Sequence, residues 1–353
     1  MKKFKRIAVI GEGKMGTSIF LYLNGFDFQL SWLCSSDSEK EKAIKTFQKK
    51  TKLLFQSGIL SETEYESKLN NITITASLDD LSNCELIIEA ISEDLAAKRK
   101  LFETLDNTVN AHCIFATNSS SFIPSQLITS GKRKDKIGGL HFFFPVPLKN
   151  TIELITNSST SLQTKELLKQ FLEQINKKAF NQDESHAFIL NRLLLDFQAE
   201  AFHVLMEGIL TVKEIDELVK FRIFPIGVFE FFDHVGIDIM LSSVKSYTQN
   251  ASNKEFYMPM IQKMAELVKL NQLGIKTKHG FYDYSHPVET SIIPNNTTIE
   301  ASEYKNKIAN RLWNSYIRSV LSVIDSGFCT QEELSFFVKD YLGMDNDPFT
   351  LLN

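Results

Sequence analysis

Lys5-Arg6-Ile7-Ala8-Val9-Ile10-Gly11-Glu12-Gly13-Lys14-Met15-Gly16 decides the fold class of this 353-residue chain. A short apolar run enters a turn built on Gly11, Gly13 and Gly16, and residues 17–23 behind it read as a helix ending near Gly25. Strand, glycine turn and helix in that order open a dinucleotide-binding βαβ unit. The first glycine permits the tight turn, the second lets a pyrophosphate approach the backbone, and the third lets helix pack on strand. Residues 28–34 supply the second strand, at the distance a right-handed parallel crossover requires. An acid usually ends that strand and binds the adenosine ribose. Cys34, Ser35 and Ser36 stand there instead, and Asp37 comes late, so two readings stay open: NAD, or NADP with these hydroxyls beside Lys40 and Lys42 meeting a 2′-phosphate.

Working outward, residues 71–76, 86–91, 113–117, 136–143 and 151–155 read as strands, and 94–108, 125–131 and 161–175 as helices. Residues 38–69 read as a Lys/Glu-rich helical excursion punctuated at Gly58. This alternation predicts an α/β, doubly wound, mostly parallel Rossmann-type domain over residues 1–184. From Ser185 onward only helical periodicity remains, at 187–207, 212–221, 238–247 and 257–270, predicting an all-α domain over 185–290. Residues 286–300, with Pro287, Pro294 and a polar run, read as a linker, so 291–353 is assigned to linker and a further helical unit. Asn191-Arg192-Leu193 recurs as Asn310-Arg311-Leu312, and the same spacing relates Gly208 to Gly327, Thr211 to Thr330 and Glu214 to Glu333. Duplication of a helical unit explains the coincidence.

Composition narrows the function classes. With 43% hydrophobic and 23% charged residues the chain can bury a core, and disorder is excluded. Lys plus Arg number 39 and Asp plus Glu 43, so a net charge of −4 offers no general attraction to nucleic acid or an anionic membrane. Cys34, Cys84, Cys113 and Cys329 are scattered, with neither metal-ligand spacing nor a disulfide framework, which fits a reducing cytoplasm and predicts no metal. No apolar stretch is long enough for a membrane span or a signal-peptide core.

Two further segments carry chemistry. Phe115-Ala116-Thr117-Asn118-Ser119-Ser120-Ser121 runs from a strand end into short polar side chains, the place where a parallel sheet presents groups to a ligand. Leu140-His141-Phe142-Phe143-Phe144-Pro145-Val146-Pro147 then precedes Thr151-Ile152-Glu153-Leu154-Ile155. A histidine among aromatics, with a carboxylate twelve residues on across a Pro-bounded turn, has the layout of a His-Glu dyad. The carboxylate would fix the tautomer and stabilise the imidazolium that forms when the ring takes a proton.

With these pieces in family order, the chain resembles the short-chain L-3-hydroxyacyl-CoA dehydrogenases over roughly residues 5–285. The glycine turn, Glu89-Ala90-Ile91-Ser92-Glu93, Asn118 to Ser121, His141, Glu153, Phe188-Ile189-Leu190-Asn191-Arg192-Leu193, Gly227-Val228-Phe229-Glu230, Asp233-His234-Val235-Gly236, Lys276-Thr277 and Gly280-Phe281-Tyr282 carry the resemblance. It implies NAD-dependent oxidation of an L-3-hydroxyacyl-CoA to the 3-ketoacyl-CoA, with NADP not excluded. It further implies that His141 is the general base and Glu153 its orienting acid, that Ser120 and Asn191 hold the substrate oxygen, and that Glu93, Lys98, Ser120 and Lys276 lie near the dinucleotide. A dehydrogenase of a free hydroxy or sugar acid, and a non-catalytic dinucleotide-binding relative, are the alternatives. Three positions depart from the family: Phe144 stands for an asparagine, the strand-two acid is missing, and His186-Ala187 replaces Pro-Gly. Residues 305–353 resemble the second copy of the helical domain found in longer relatives. The resemblance leaves open a homodimer or a monomer whose two helical units form an intramolecular pseudo-dimer.

Overall fold

Eight strands order the first half of the chain, and the sequence of connections between them sets where a ligand can sit. The computed structural model describes residues 4–128, 133–249, 251, 253–286, 303–343 and 349, and divides the chain into two units, Met1–Phe188 and Ile189–Asn353. In the first unit β1 (Arg6–Ile10), α1 (Lys14–Leu23), β2 (Gln29–Leu33), α2 (Asp37–Gln56), α3 (Glu62–Asn70) and β3 (Ile72–Thr75) come first. Then follow β4 (Leu86–Glu89), α4 (Leu95–Thr108), β5 (Ile114–Thr117), α5 (Pro124–Leu127), β6 (Ile137–Phe142), β7 (Thr151–Thr156), α6 (Leu162–Gln174) and β8 (Lys178–Asp183). The sheet order is β3-β2-β1-β4-β5-β6-β7-β8, parallel at every pairing except β6 with β7. Strand order reverses at β1, so the crevice at the C-terminal ends of β1 and β4 is the expected ligand position.

Strands covered on both faces lose polar alternation and read as unbroken apolar runs. Val9, Phe20, Trp32, Leu140 and Phe171 belong to the core on one face, and Ala8, Phe102, Leu105, Phe115 and Ile137 to the core on the other. The excursion at 38–69 is two helices, α2 and α3, parted at Gly58 as its sequence indicates, where the backbone takes φ +74°. Other local expectations need correction. The helix expected over 125–131 is confined to α5 within the described residues, and residues 129–132 lie outside them. Strand β8 was not anticipated, because Phe180 is its single large apolar side chain and an edge strand of that composition has no legible alternation.

The second unit is helical. Residues 187–207 contain α7 (Ile189–Leu193) and α8 (Leu195–Met206), not one continuous helix. Helix α9 (Val212–Arg222) comes next, then α10 (Val228–Val235), which the sequence reading missed, α11 (Ile237–Thr248) and α12 (Met258–Lys269). Two buried aspartates tie its loops together. Asp216 accepts from the backbone N–H groups of Phe229 and Glu230 and from the Tyr282 hydroxyl, while Asp233 accepts from the N–H groups of Phe281 and Tyr282 and from the Tyr284 hydroxyl. Burial pushes both carboxyls above their ordinary range, against those hydrogen bonds. A Cβ on Gly227 would lie 2.2 Å from Asp216 Cγ, and one on Gly280 would lie 2.0 Å from Asp233 Oδ1, so these glycines exist to let the aspartates in.

Helices α13 (Glu303–Asp325) and α14 (Gln331–Leu342) complete the described part of this unit. Helix α13 packs on α7, α8 and α9 and buries Ile308, Leu312, Tyr316 and Val320. Arg311 bridges Glu200 on α8 and Glu207 at the C-terminal cap of that helix, at 2.6 Å from the latter. The expected linker at 286–300 falls, beyond His286, outside the described residues. Among the described residues no helix is long and apolar enough to cross a membrane, and no cluster of His, Cys, Asp and Glu could hold a metal ion.

Candidate active site

The glycine turn is shaped by three different demands. Gly11 has φ +113°, and a Cβ there would meet the Ala90 carbonyl oxygen at 2.5 Å. A Cβ on Gly16 would lie 2.1 Å from the Gly11 carbonyl oxygen. At Gly13 a Cβ would meet nothing within 4 Å, so the protein's own packing does not require a glycine there; the open space does fit an approaching phosphate. Helix α1 begins at Gly13 without a side-chain cap, which leaves its first N–H groups facing the same space. The turn is anchored from below by Trp32, whose indole N–H donates to the Gly11 carbonyl at 2.9 Å and whose ring stacks on Phe20. Lys14 stands with its ammonium 4.1 Å from the centre of the Phe144 ring, which is half exposed beside the turn.

A buried charge network shapes the next loop. Lys98 is 1% exposed and donates to Glu89 Oε1 at 2.6 Å while pairing with Glu93 Oε2 at 3.2 Å. Glu89 also accepts from Ile91 N and from the Thr117 hydroxyl, joining the ends of β4 and β5. Glu93 Oε1 accepts from Ser120 N at 3.1 Å, from Ser121 N and Oγ at 3.0 and 2.9 Å, and from the Ser119 hydroxyl. The structure thus brings Glu93, Lys98 and Ser120 together, with Glu93 setting the course of the serine loop and Lys98 placing its single positive charge between the two glutamates. Asn118 extends the loop to the dyad strand, its Oδ1 accepting from Phe142 N at 2.9 Å.

His141 and Glu153 stand directly opposite each other across the antiparallel β6–β7 pair. His141 Nδ1 is 2.7 Å from Glu153 Oε2. Glu153 is fully buried, and its other oxygen accepts from Gln182 Nε2 on β8 at 2.7 Å. A carboxylate can only accept, so Nδ1 carries the hydrogen and Nε2 keeps its lone pair. Nε2 makes no hydrogen bond to a described residue. The rings of Phe143 and Phe188 meet the imidazole edge-on, at centroid distances of 4.6 and 5.7 Å, which fixes its rotation. Gln182 was missed at the sequence level along with the strand that carries it.

The remaining two candidates belong to the helical unit. Asn191 on α7 donates through Nδ2 to the Tyr247 hydroxyl at 3.1 Å, and its Oδ1 accepts from the hydroxyl of Tyr341 on α14 at 2.8 Å. Lys276 is paired with Asp238, at 2.7 Å from Oδ2.

Comparison with known proteins follows the same division. Residues 6–184 match the family model for the NAD binding domain of 3-hydroxyacyl-CoA dehydrogenase, and residues 188–284 match the model for that family's C-terminal domain. The chain is similar to the 3-hydroxybutyryl-CoA dehydrogenase of Clostridioides difficile, 34% identical over 283 residues that cover 79% of this chain and 99% of that protein. It is similar to the crystal structure of (S)-3-hydroxybutyryl-CoA dehydrogenase from Ralstonia eutropha, with a TM-score of 0.72, 30% identity, and coverage of 80% of this chain and 100% of that one. A fold likeness to the dehydrogenase part of a C. elegans multifunctional enzyme, TM-score 0.58 at 22% identity, covers 96% of this chain and 79% of that one.

Proposed function

The chain belongs to the 3-hydroxyacyl-CoA dehydrogenase family and is an NAD-using oxidoreductase acting on a CH–OH group, and on that premise we propose that it interconverts a short-chain L-3-hydroxyacyl-CoA, such as 3-hydroxybutyryl-CoA, and the corresponding 3-ketoacyl-CoA. The observation that carries the reading is the 2.7 Å contact between His141 Nδ1 and Glu153 Oε2 near the C-terminal edge of the parallel sheet. The similarity to 3-hydroxybutyryl-CoA dehydrogenases supports the thioester and its short chain.

His141 Nε2 takes the 3-hydroxyl proton as the O–H bond breaks and the C3–O bond becomes a carbonyl. Bound nicotinamide supplies the acceptor for the hydride that leaves C3. Glu153 stabilises the imidazolium so formed, and Gln182 holds the carboxylate's second oxygen so that it cannot swing away from the ring. Ser120, its backbone pinned by Glu93, is assigned a hydrogen bond to the substrate oxygen. The aromatic edges of Phe143 and Phe188 restrict water around the ring.

We also propose that residues 291–353 contain a second copy of the helical domain at 185–290, standing where a partner subunit's copy would otherwise pack. Its support is the repeated turn geometry, with Gly208 at φ +72° and Gly327 at φ +74°, each before a Thr-capped helix, and the fold likeness that extends over 96% of the chain.

The test is His141→Ala. Reduction of acetoacetyl-CoA by NADH should fall about 10²–10⁴-fold, while NADH binding, titrated without substrate, stays as in the parent. Unchanged turnover would remove His141 from the mechanism, and equal rates on free acetoacetate and its thioester would remove the CoA ester from the reading.

A further inference from the structure

The end of β2 lacks the acid that normally meets the adenosine ribose, yet a carboxylate stands there. Register Ile10↔Leu33 between β1 and β2, continued by Gly11 N donating to Leu33 O at 3.0 Å, brings the glycine turn alongside residues 34 and 35. From that turn the Glu12 side chain crosses to the neighbouring strand. Its Oε2 accepts from Ser35 N at 3.2 Å, and its Oε1 accepts from the Ser35 hydroxyl. Each carboxylate oxygen has two lone pairs, so acceptor capacity remains after both bonds.

The groups that a 2′-phosphate would need are committed elsewhere. Ser35's hydroxyl donates to Glu12, and Ser36's caps α2 by accepting from Glu39 N at 3.3 Å. Lys40 pairs with Asp37 at 2.9 Å, and Lys42 with Glu39 at 2.6 Å. Two cations are thus matched by acids of their own helix, and Glu12 adds a further negative charge. Burial first, then the carboxylates of Glu12 and Glu39, push the neighbouring Cys34 thiol up to about 11, as expected where negative charge outweighs positive.

We propose that Glu12 is the cofactor-specificity residue of this enzyme: delivered from the glycine turn instead of the end of β2, it accepts from the 2′-hydroxyl of NAD and repels the 2′-phosphate of NADP. The proposal rests on the dinucleotide reading of the turn. It also explains how the chain dispenses with an acid at position 34, 35 or 36.

Calorimetric titration of the full chain with NADH and NADPH, without acyl-CoA, separates the possibilities. The parent should bind NADH more tightly. Glu12→Gln, which keeps the shape and a carbonyl acceptor for Ser35, should tighten NADPH roughly tenfold, the order expected for removing one carboxylate charge beside a dianion in a water-facing site, and should move NADH much less. Ser35→Ala, which removes the hydroxyl tether and leaves only the backbone N–H on the carboxylate, should lower the discrimination in the same direction. A parent that prefers NADPH, or an NADH-to-NADPH ratio left unmoved in both variants, overturns the proposal. Binding of neither dinucleotide by the parent overturns the reading of the turn and this inference with it, a result distinct from an unmoved ratio.

Discussion

Glu153 meets His141 because strands β6 and β7 run antiparallel, and two residues opposite each other in such a pair have their side chains on the same face. The charge of the carboxylate, and not merely its place, should matter. In Glu153→Gln the amide oxygen can still accept from Nδ1, but no negative charge faces the imidazolium. We expect turnover of acetoacetyl-CoA to drop about 10- to 100-fold, the worth of a hydrogen bond to a charged group, with NADH affinity unaltered. Steady-state kinetics beside a binding titration checks this, and a kcat equal to the parent's would confine Glu153 to structure. At this scale the dyad was legible, since a carboxylate in an apolar strand needs a donating or charged partner and an aromatic-flanked histidine stands twelve residues before it across a Pro-bounded turn. Gln182 was not legible, because nothing in Lys178-Ala179-Phe180-Asn181-Gln182-Asp183 announces a strand. Lys98 reads locally as a helix-surface lysine and is buried by Glu89 and Glu93, residues of the preceding strand and loop.

At the scale of elements, the helix ends are where sequence and structure agree most closely. Thr211 caps α9 and Thr330 caps α14, each in a box with the glutamate three residues on. Thr330→Ala and Thr211→Ala should each cost about 1 kcal/mol, read from urea midpoints at neutral pH. Acid should change the second of these values. The backbone N–H of Thr211, then its hydroxyl, hold the Glu214 carboxyl below its ordinary 4.5. A depressed folded value means the folded state binds fewer protons than the unfolded one, so this stabilisation is complete above about 4.5 and is lost as pH falls through the lower folded value. The Thr211→Ala deficit should therefore narrow on acidification; a deficit that widens would contradict the assignment. Elements missed by the sequence reading were short. Helix α10 covers only eight residues, barely two turns in which to show a period, and α7 is parted from α8 at Leu194, where periodicity alone shows no interruption.

For the whole molecule, the consequential feature is the packing of α13 on α7, α8 and α9, which buries Leu312, Tyr316 and Val320 and engages Glu200 and Glu207 through Arg311. A chain ending at Ser285 loses that cover. We expect it to dimerise or aggregate through the uncovered face, as read by light scattering after size exclusion. A soluble, fully active product of unchanged oligomeric state would show that α13 fills no partner's place. The sequence by itself determined the order of elements from β1 through α6, the glycine turn and the two members of the dyad, because strand and helix periodicity and the steric needs of glycine are properties of neighbouring residues. Only the tertiary structure decided that Glu12 ends up beside Ser35, that Gln182 holds Glu153, and that Tyr341 takes the oxygen of Asn191, partners separated by 23, 29 and 150 positions. Which distant side chains meet depends on how helices and strands pack, and that follows from the burial of whole faces, to which no single short stretch of chain gives the answer.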